Sequence, residues 1–259
     1  MIDFEFVKPS TVADAVKALA AEGALALSGG QTLTPTMKQR LATPSVLVSL
    51  NGIAALKGVK VAGGVVTVGA ATTHAEVARA AAFPALTALA GGIGDMAVRN
   101  RGTIGGSLAN NDPAACYSAA VLGTGATVVT NKRQIKADDF FQGMFATALD
   151  EGEIITSVSF SVPQKAAYVK FNQPASRFAL TGVFVAKFAD GVRVAVTGAS
   201  NNGVFRWAEA ETALAKDFSA GAIAGLKVSD KDMINDLHGT AAYRANLVKV
   251  LTGRAVSAA

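Results

Sequence analysis

The sequence predicts an α+β fold in which a longer region of alternating strands and helices is followed by a smaller domain of antiparallel sheet and helices. Two observations point there. Up to residue 162, short apolar runs alternate with segments that carry helix-cap signals, whereas beyond Pro163 three β-rich runs follow one another with only tight turns between them. A third observation concerns size: 259 residues with 51% hydrophobic content can bury the core of one large or two smaller domains.

The elements follow in order. Thr11 and Asp14 resemble a capping box, and Val12, Ala15, Val16, Leu19 and Ala20 form one apolar face, so a helix is expected to about Glu22, stopped by Gly23. Ala24 to Leu27 is a short strand. Thr34-Pro35 then starts a helix to about Leu41, with Pro at its first position. Val46 to Ser49 reads as a strand, residues 60–69 as a hairpin turning at Gly63-Gly64, and Thr73 with Glu76 as the cap of the next helix. An apolar helix is expected from Pro84 to Gly91-Gly92, another from Pro113 with Asp112 as its cap, then strands at Ala126 to Thr130 and Ile154 to Phe160.

After Pro163, Ala167 to Phe171, Val183 to Phe188 and Val192 to Thr197 read as a three-stranded antiparallel sheet, the last two strands joined at Ala189-Asp190-Gly191. Helices are expected near Ala208 to Ala215 and Thr240 to Leu251. The domain boundary therefore falls at about 161–165, giving residues 1–162 and 163–259.

Composition narrows the function. Net charge is +5, but Lys and Arg are scattered and no basic run is interleaved with aromatic residues, so a nucleic-acid groove is not indicated. No apolar run is long enough to span a bilayer, and Asp3 and Glu5 argue against a cleaved leader; a cytoplasmic location is the expectation. The single cysteine, Cys116, excludes an internal disulfide and cannot hold an iron–sulfur cluster. His74 belongs to a helix start and His238 has no ligand cluster around it, so no metal site is expected. Ser107 lacks a nucleophile-elbow setting, and Asp138-Asp139 read as solvated helix-start charges; no acid–base or nucleophilic constellation emerges.

What remains is two glycine-centred loops. Gly29-Gly30 lies between a strand and a helix, within Ser28-Gly29-Gly30-Gln31-Thr32-Leu33; Gly105-Gly106 lies in Thr103-Ile104-Gly105-Gly106-Ser107, introduced by Arg99-Asn100-Arg101. Backbone without Cβ atoms can approach a phosphate and aim N–H groups at it, which points to a pyrophosphate ligand. Neither loop fits a Rossmann or P-loop pattern, and each taken alone is equally compatible with a tight turn.

The wording of these segments, Ser28 to Ala42 and Arg99 to Ala115, closely resembles the two FAD-pyrophosphate loops of the FAD-binding, or medium, subunits of molybdenum hydroxylases, the family of carbon monoxide dehydrogenase and xanthine dehydrogenase. The resemblance spans nearly the whole chain, from Phe4-Glu5-Phe6-Val7-Lys8-Pro9 through Thr72-Thr73-His74-Ala75-Glu76-Val77 and Lys170-Phe171-Asn172-Gln173-Pro174 to Ala208-Glu209-Ala210-Glu211.

It implies a flavin-binding fold of two subdomains, divided near residue 57 and of the p-cresol methylhydroxylase (PCMH) or vanillyl-alcohol-oxidase type, followed by the sheet-and-helix domain. It implies FAD contacts at Gly29, Gly30, Gln31, Thr32, Leu33, Thr103, Ile104, Gly105, Gly106 and Ser107. Asn110 and Asp112 lie just behind the second loop, Ile93 is a candidate apolar wall, and Lys170 and Phe178 fall where the last domain approaches the isoalloxazine ring. Two positions depart from the family. Cys116 stands where many relatives carry aspartate and Phe178 where several carry tyrosine, which removes one polar contact and one hydroxyl.

By the same resemblance, this chain would pass electrons to an external acceptor from the [2Fe–2S] clusters of a small subunit, while a large subunit carries the molybdenum-pterin cofactor, the whole forming a dimer of heterotrimers. Two other readings stay open at this level: a free-standing flavin oxidoreductase, and an interaction scaffold that has lost FAD.

Overall fold

A computed structural model of the chain describes residues 1–80 and 83–259. The chain begins with β1 (Glu5–Val7), α1 (Val12–Leu19), β2 (Ala24–Leu27), α2 (Leu33–Lys38) and β3 (Val46–Ser49), then a 3-10 turn at Ala54–Leu56. The three strands form a parallel sheet in the order β1-β3-β2, with α1 packed on it through Ala15, Val12 and Leu19. Thr11 caps α1 by accepting from the Asp14 N–H at 3.1 Å. The helix closes at Leu19, shorter than expected, because the chain must turn at Gly23 (φ +70°) to enter β2.

The middle of the chain contains β4 (Val59–Ala62), β5 (Val65–Gly69), α3 (His74–Arg79), α4 (Pro84–Gly91), α5 (Met96–Arg99), α6 (Ile104–Asn110), α7 (Cys116–Thr124), β6 (Thr127–Thr130), β7 (Gln134–Lys136), α8 (Ala137–Phe140) and β8 (Ile155–Ser161). Its five strands form an antiparallel sheet in the order β4-β5-β8-β6-β7. The β4–β5 hairpin turns at Gly63 and Gly64, both at positive φ, as a two-residue type I′ turn requires. Thr73 and Glu76 form a full capping box on α3.

The remainder is β9 (Lys165–Asn172), β10 (Ala179–Phe188), β11 (Gly191–Thr197), β12 (Phe205–Arg206), α9 (Ala208–Lys216), a 3-10 turn at Ala220–Ile223 and α10 (Ala241–Ala258). Its sheet is antiparallel in the order β12-β11-β10-β9, one short edge strand more than expected. One face buries Val183, Val185, Val194 and Val196 against α9 and α10. The other places Phe184, Ala186 and Ala195 against α7, which is buried along its whole length.

Two local expectations are corrected. Pro35 is not at the start of α2, which begins two residues earlier at Leu33, after Thr32. Asp112 caps no helix: its Oδ1 accepts from the Ala114 N–H at 2.8 Å, closing a turn between α6 and α7, and α7 starts only at Cys116. Asp138 is exposed in the first turn of α8, as expected, and in addition pairs with Arg193 at 2.6 Å and Arg206 at 3.6 Å, joining α8 to β11 and β12.

Candidate functional site

A cleft with a cavity of about 880 Å³ runs between the parallel sheet, the five-stranded unit and the β9–β10 turn. Its floor starts at the carboxyl end of β2, where side chains give way to the turn Ser28–Thr32; ligands of parallel sheets bind at that end because there the strands diverge into loops. Gly30 takes φ +69°, a left-handed conformation natural to glycine, and so turns the chain towards α2. The N–H groups of Gly29, Gly30, Gln31, Thr32 and Leu33 find no acceptor among the described residues. Five consecutive residues lining one cavity thus carry N–H groups without an acceptor, a donor set that suits an anion.

The second glycine motif works differently from the loop expected. Thr103 caps α6, and Gly105 and Gly106 sit in its first turn. The Ile104 N–H donates to Thr72 O at 3.2 Å, Gly105 N–H to Ala70 O at 2.9 Å and Gly106 N–H to Thr103 Oγ1 at 3.2 Å. These donors already have partners. The glycines serve close packing instead: a Cβ on Gly105 would lie 2.6 Å from Ala70 Cβ, and one on Gly29 would lie 2.3 Å from Arg101 O. Ser28 Oγ and Thr103 Oγ1, 2.8 Å apart, tie the two motifs together.

Of the residues named from sequence, Gly29, Gly30, Gln31, Thr32, Leu33, Ile93, Thr103, Gly105, Gly106, Ser107, Asn110, Asp112, Cys116, Lys170 and Phe178 all line this one cavity. Ile104 does not; its side chain is fully buried in the core beneath α6. The arginines that introduce the second motif also stay out of the cavity wall. Arg99 Nη1 donates to Ile93 O and Gly94 O, both at 3.0 Å, fixing the α4–α5 turn. Phosphate charge at this end would thus be met by backbone dipoles rather than by guanidinium groups.

Ser28, His74 and Arg177 also line the cavity and were not singled out as contacts from sequence. Ser28 and His74 stood inside the quoted motifs, which was their only signal. His74 is buried, 5.3 Å from the Tyr117 ring between centroids, and its Nδ1 has no partner. Burial, reinforced by the nearby Arg99 charge, lowers its pKa from 6.5 to about 4, so the imidazole is neutral at pH 7. At the cavity edge Glu153 accepts from Arg133, from Thr130 Oγ1 at 2.6 Å and from Asp150 N at 2.8 Å. Burial alone would raise its pKa; the guanidinium and the hydrogen bonds prevail and hold it at about 2. Among the described residues, no group of three or more His, Cys, Asp or Glu is placed to hold a metal ion.

Ile93, Cys116, Lys170 and the Ala175–Phe178 turn line the same cleft. Its size and its free N–H groups suit a dinucleotide.

Residues 2–164 match the family model described as the FAD binding domain in molybdopterin dehydrogenase. Over 97% of its length the chain is 33% identical to the nicotine 6-hydroxylase medium subunit of Paenarthrobacter nicotinovorans, covering 95% of that protein. It is 31% identical to the carbon monoxide dehydrogenase medium chain of Hydrogenophaga pseudoflava, over 99% of this chain and 96% of that one. Among solved structures it is similar to quinoline 2-oxidoreductase from Pseudomonas putida 86 (TM-score 0.88, 26% identity, 100% and 97% covered) and to reconstituted carbon monoxide dehydrogenase from Oligotropha carboxidovorans (TM-score 0.88, 30% identity, 99% and 98% covered). The fold is the PCMH-type FAD-binding fold with an antiparallel sheet domain, no helix among the described residues is long and apolar enough to cross a membrane, and the chain belongs to the FAD-binding medium subunits of the molybdenum hydroxylases.

Proposed function

We propose that this subunit holds one non-covalent FAD in extended form, with its pyrophosphate on the free N–H groups of 29–33 beside the Thr103 end of α6, and its isoalloxazine between Ile93, Cys116, Lys170 and Phe178. The run of five unpartnered N–H groups carries the assignment of the pyrophosphate. Bound FAD supplies a two-electron store between one-electron iron–sulfur donors and an external acceptor. The chain binds and orients it: Gly29 lets the two motifs close to contact, Thr103 and Ser28 lock them, and the neutral His74 adds no charge to the wall.

The molybdenum-pterin cofactor and [2Fe–2S] clusters belong, in this reading, to a large and a small partner subunit, assembled in the cytoplasm as a dimer of heterotrimers. Cys116 is the only cysteine, which supports clusters housed elsewhere. Relatives at 33% and 31% identity are named for nicotine and for carbon monoxide, compounds of unlike chemistry, which supports a medium subunit that does not touch the substrate. A division into residues 1–162, with subdomains parting near 57, and 163–259 is supported by β8 ending at Ser161 in one sheet and β9 starting at Lys165 in another. Hydrogen exchange should then show different opening energies on the two sides of Pro163, and a single common value would contradict the division.

Heat release from the purified, reconstituted chain tests the cofactor: FAD is expected, and recovery of FMN, or of no flavin after incubation with excess FAD, overturns the proposal. Native mass of the assembled complex tests the partners, with two copies of each of three subunits expected and any other ratio contradicting it.

A further inference from the structure

A second cavity, of about 210 Å³, lies beside the large cleft. Pro113, Leu180 and Ile234 give it apolar walls, and Arg244 with Asp236 give it an ion pair that is neutral as a whole. Arg244 is only 3% exposed. Its Nη1 donates to Leu180 O at 2.6 Å and Gly198 O at 2.7 Å, and its Nη2 donates to both oxygens of Asp236 at 2.8 Å. The remaining donor, Nε–H, finds no acceptor among the described residues.

Buried polar groups are almost always paired, because an N–H taken from water without a new acceptor costs free energy. Nη1 and Nη2 suffice to fasten the helix that carries Arg244, so Nε is left without a structural use. In a guanidinium, Nε–H shares an edge with Nη2. The free donor therefore stands on the side of Arg244 that faces Asp236, which itself lines the cavity.

The charges decide what kind of ligand fits. An anion would gain this one donor but meet the Asp236 carboxylate, whereas a cation would meet the guanidinium and offer Nε no acceptor. An uncharged carbonyl oxygen takes the N–H without either conflict. We propose that this cavity is a binding site for a small, uncharged ring compound bearing a carbonyl or carboxamide group, its oxygen on Arg244 Nε and its ring against Pro113, Leu180 and Ile234. The cavity shares Ala114, Ser176 and Phe178 with the cleft, but its ligand is selected by Arg244 and Asp236, independently of what fills the cleft.

The test titrates the full chain, with FAD in excess, with benzamide and follows the backbone amide signals by NMR. The Leu180 and Gly198 signals should shift and saturate with a Kd on the order of 1 mM, the range for so small a ligand, while signals of residues 29–33 report separately on the cleft. Benzoate, with the same ring but a negative charge, and benzylamine, a cation without an acceptor, should each bind about tenfold or more weakly. Ile234→Trp places an indole in the cavity and should abolish the shifts. Arg244→Lys keeps a cation for Asp236 but removes Nε, and should weaken benzamide several-fold. Shifts confined to 29–33, no saturation at tens of millimolar, or equal binding of benzoate would overturn the proposal. So would a folded Ile234→Trp or Arg244→Lys chain that binds benzamide with unchanged affinity. Where a variant does not fold, the comparison of the three probes on the wild-type chain decides.

Discussion

At the scale of single residues, the two glycine motifs divide the labour that the sequence suggests they share. Gly29 and Gly105 exist to let backbone meet backbone, while the free donors lie at 29–33. Gly29→Val should therefore push Arg101 and residues 29–33 apart. Losing two charge-assisted hydrogen bonds of about 1.5–3 kcal/mol each implies a fall in FAD affinity on the order of a hundredfold to ten-thousandfold, read by flavin titration. Gly64→Asn is the control, since nothing lies within 4 Å of a Cβ there and Asn tolerates φ +75°; an equal loss at both sites would contradict the assignment.

His74 offers a second test at this scale. Its pKa falls from 6.5 to about 4 on folding, so between those values the unfolded chain binds the extra proton. The contribution is complete above pH 6.5 and is lost progressively as pH drops to about 4. His74→Gln should flatten the urea midpoint across that window, and an unchanged slope would count against a buried neutral imidazole. Glu153 acts in a lower window: its stabilisation is present above about pH 4.5 and disappears towards pH 2, so Glu153→Gln should blunt acid unfolding there and leave the slope above about pH 5.5 unaltered.

At the scale of elements, α10 is fastened to the last sheet by one side chain. Arg244 is buried; its Nη1 donates to Leu180 O at 2.6 Å and Gly198 O at 2.7 Å, and its Nη2 meets both oxygens of Asp236 at 2.8 Å. Leu180 stands near the start of β10 and Gly198 just after β11. Arg244→Met would leave Gly198 O without its partner, at about 1–3 kcal/mol less whatever water regains, while Leu180 O keeps the Thr181 Oγ1 donor at 3.0 Å. Asp236 is partly exposed and can be rehydrated, so the ion pair adds little to the loss. Denaturant unfolding should show about 1–3 kcal/mol of destabilisation, and a loss under about 0.5 kcal/mol, the range of ordinary surface changes, would show that the helix is held by its apolar face alone.

At the scale of the whole molecule, three sheets converge on one cleft. In the proposed reading the substrate reacts on another subunit. The isolated, FAD-loaded protein should not be bleached by the substrate of its complex, whereas bleaching should appear once the iron–sulfur and molybdenum subunits are added. Direct stoichiometric bleaching of the chain alone would favour a free-standing flavoenzyme.

Periodicity and cap signals were enough to read most elements: the Thr73–Glu76 capping box, the I′ hairpin at Gly63-Gly64 and the three long strands after Pro163 are local patterns, and local physics decides them. Motif wording likewise pointed to the family and to fifteen of the residues that line the cleft. The fate of each hydrogen-bonding group was not legible, because an N–H is free or taken according to which distant carbonyl folding brings to it. Thus Ala70 and Thr72, more than thirty positions upstream, take the donors of Gly105 and Ile104, and Asp138 finds Arg193 across a sheet. The sequence alone determined that the chain has glycine at the places where two segments must touch. Only the tertiary structure decided that one segment keeps its N–H donors free and that the other spends them on backbone partners and serves close packing, because those partners come from distant parts of the chain.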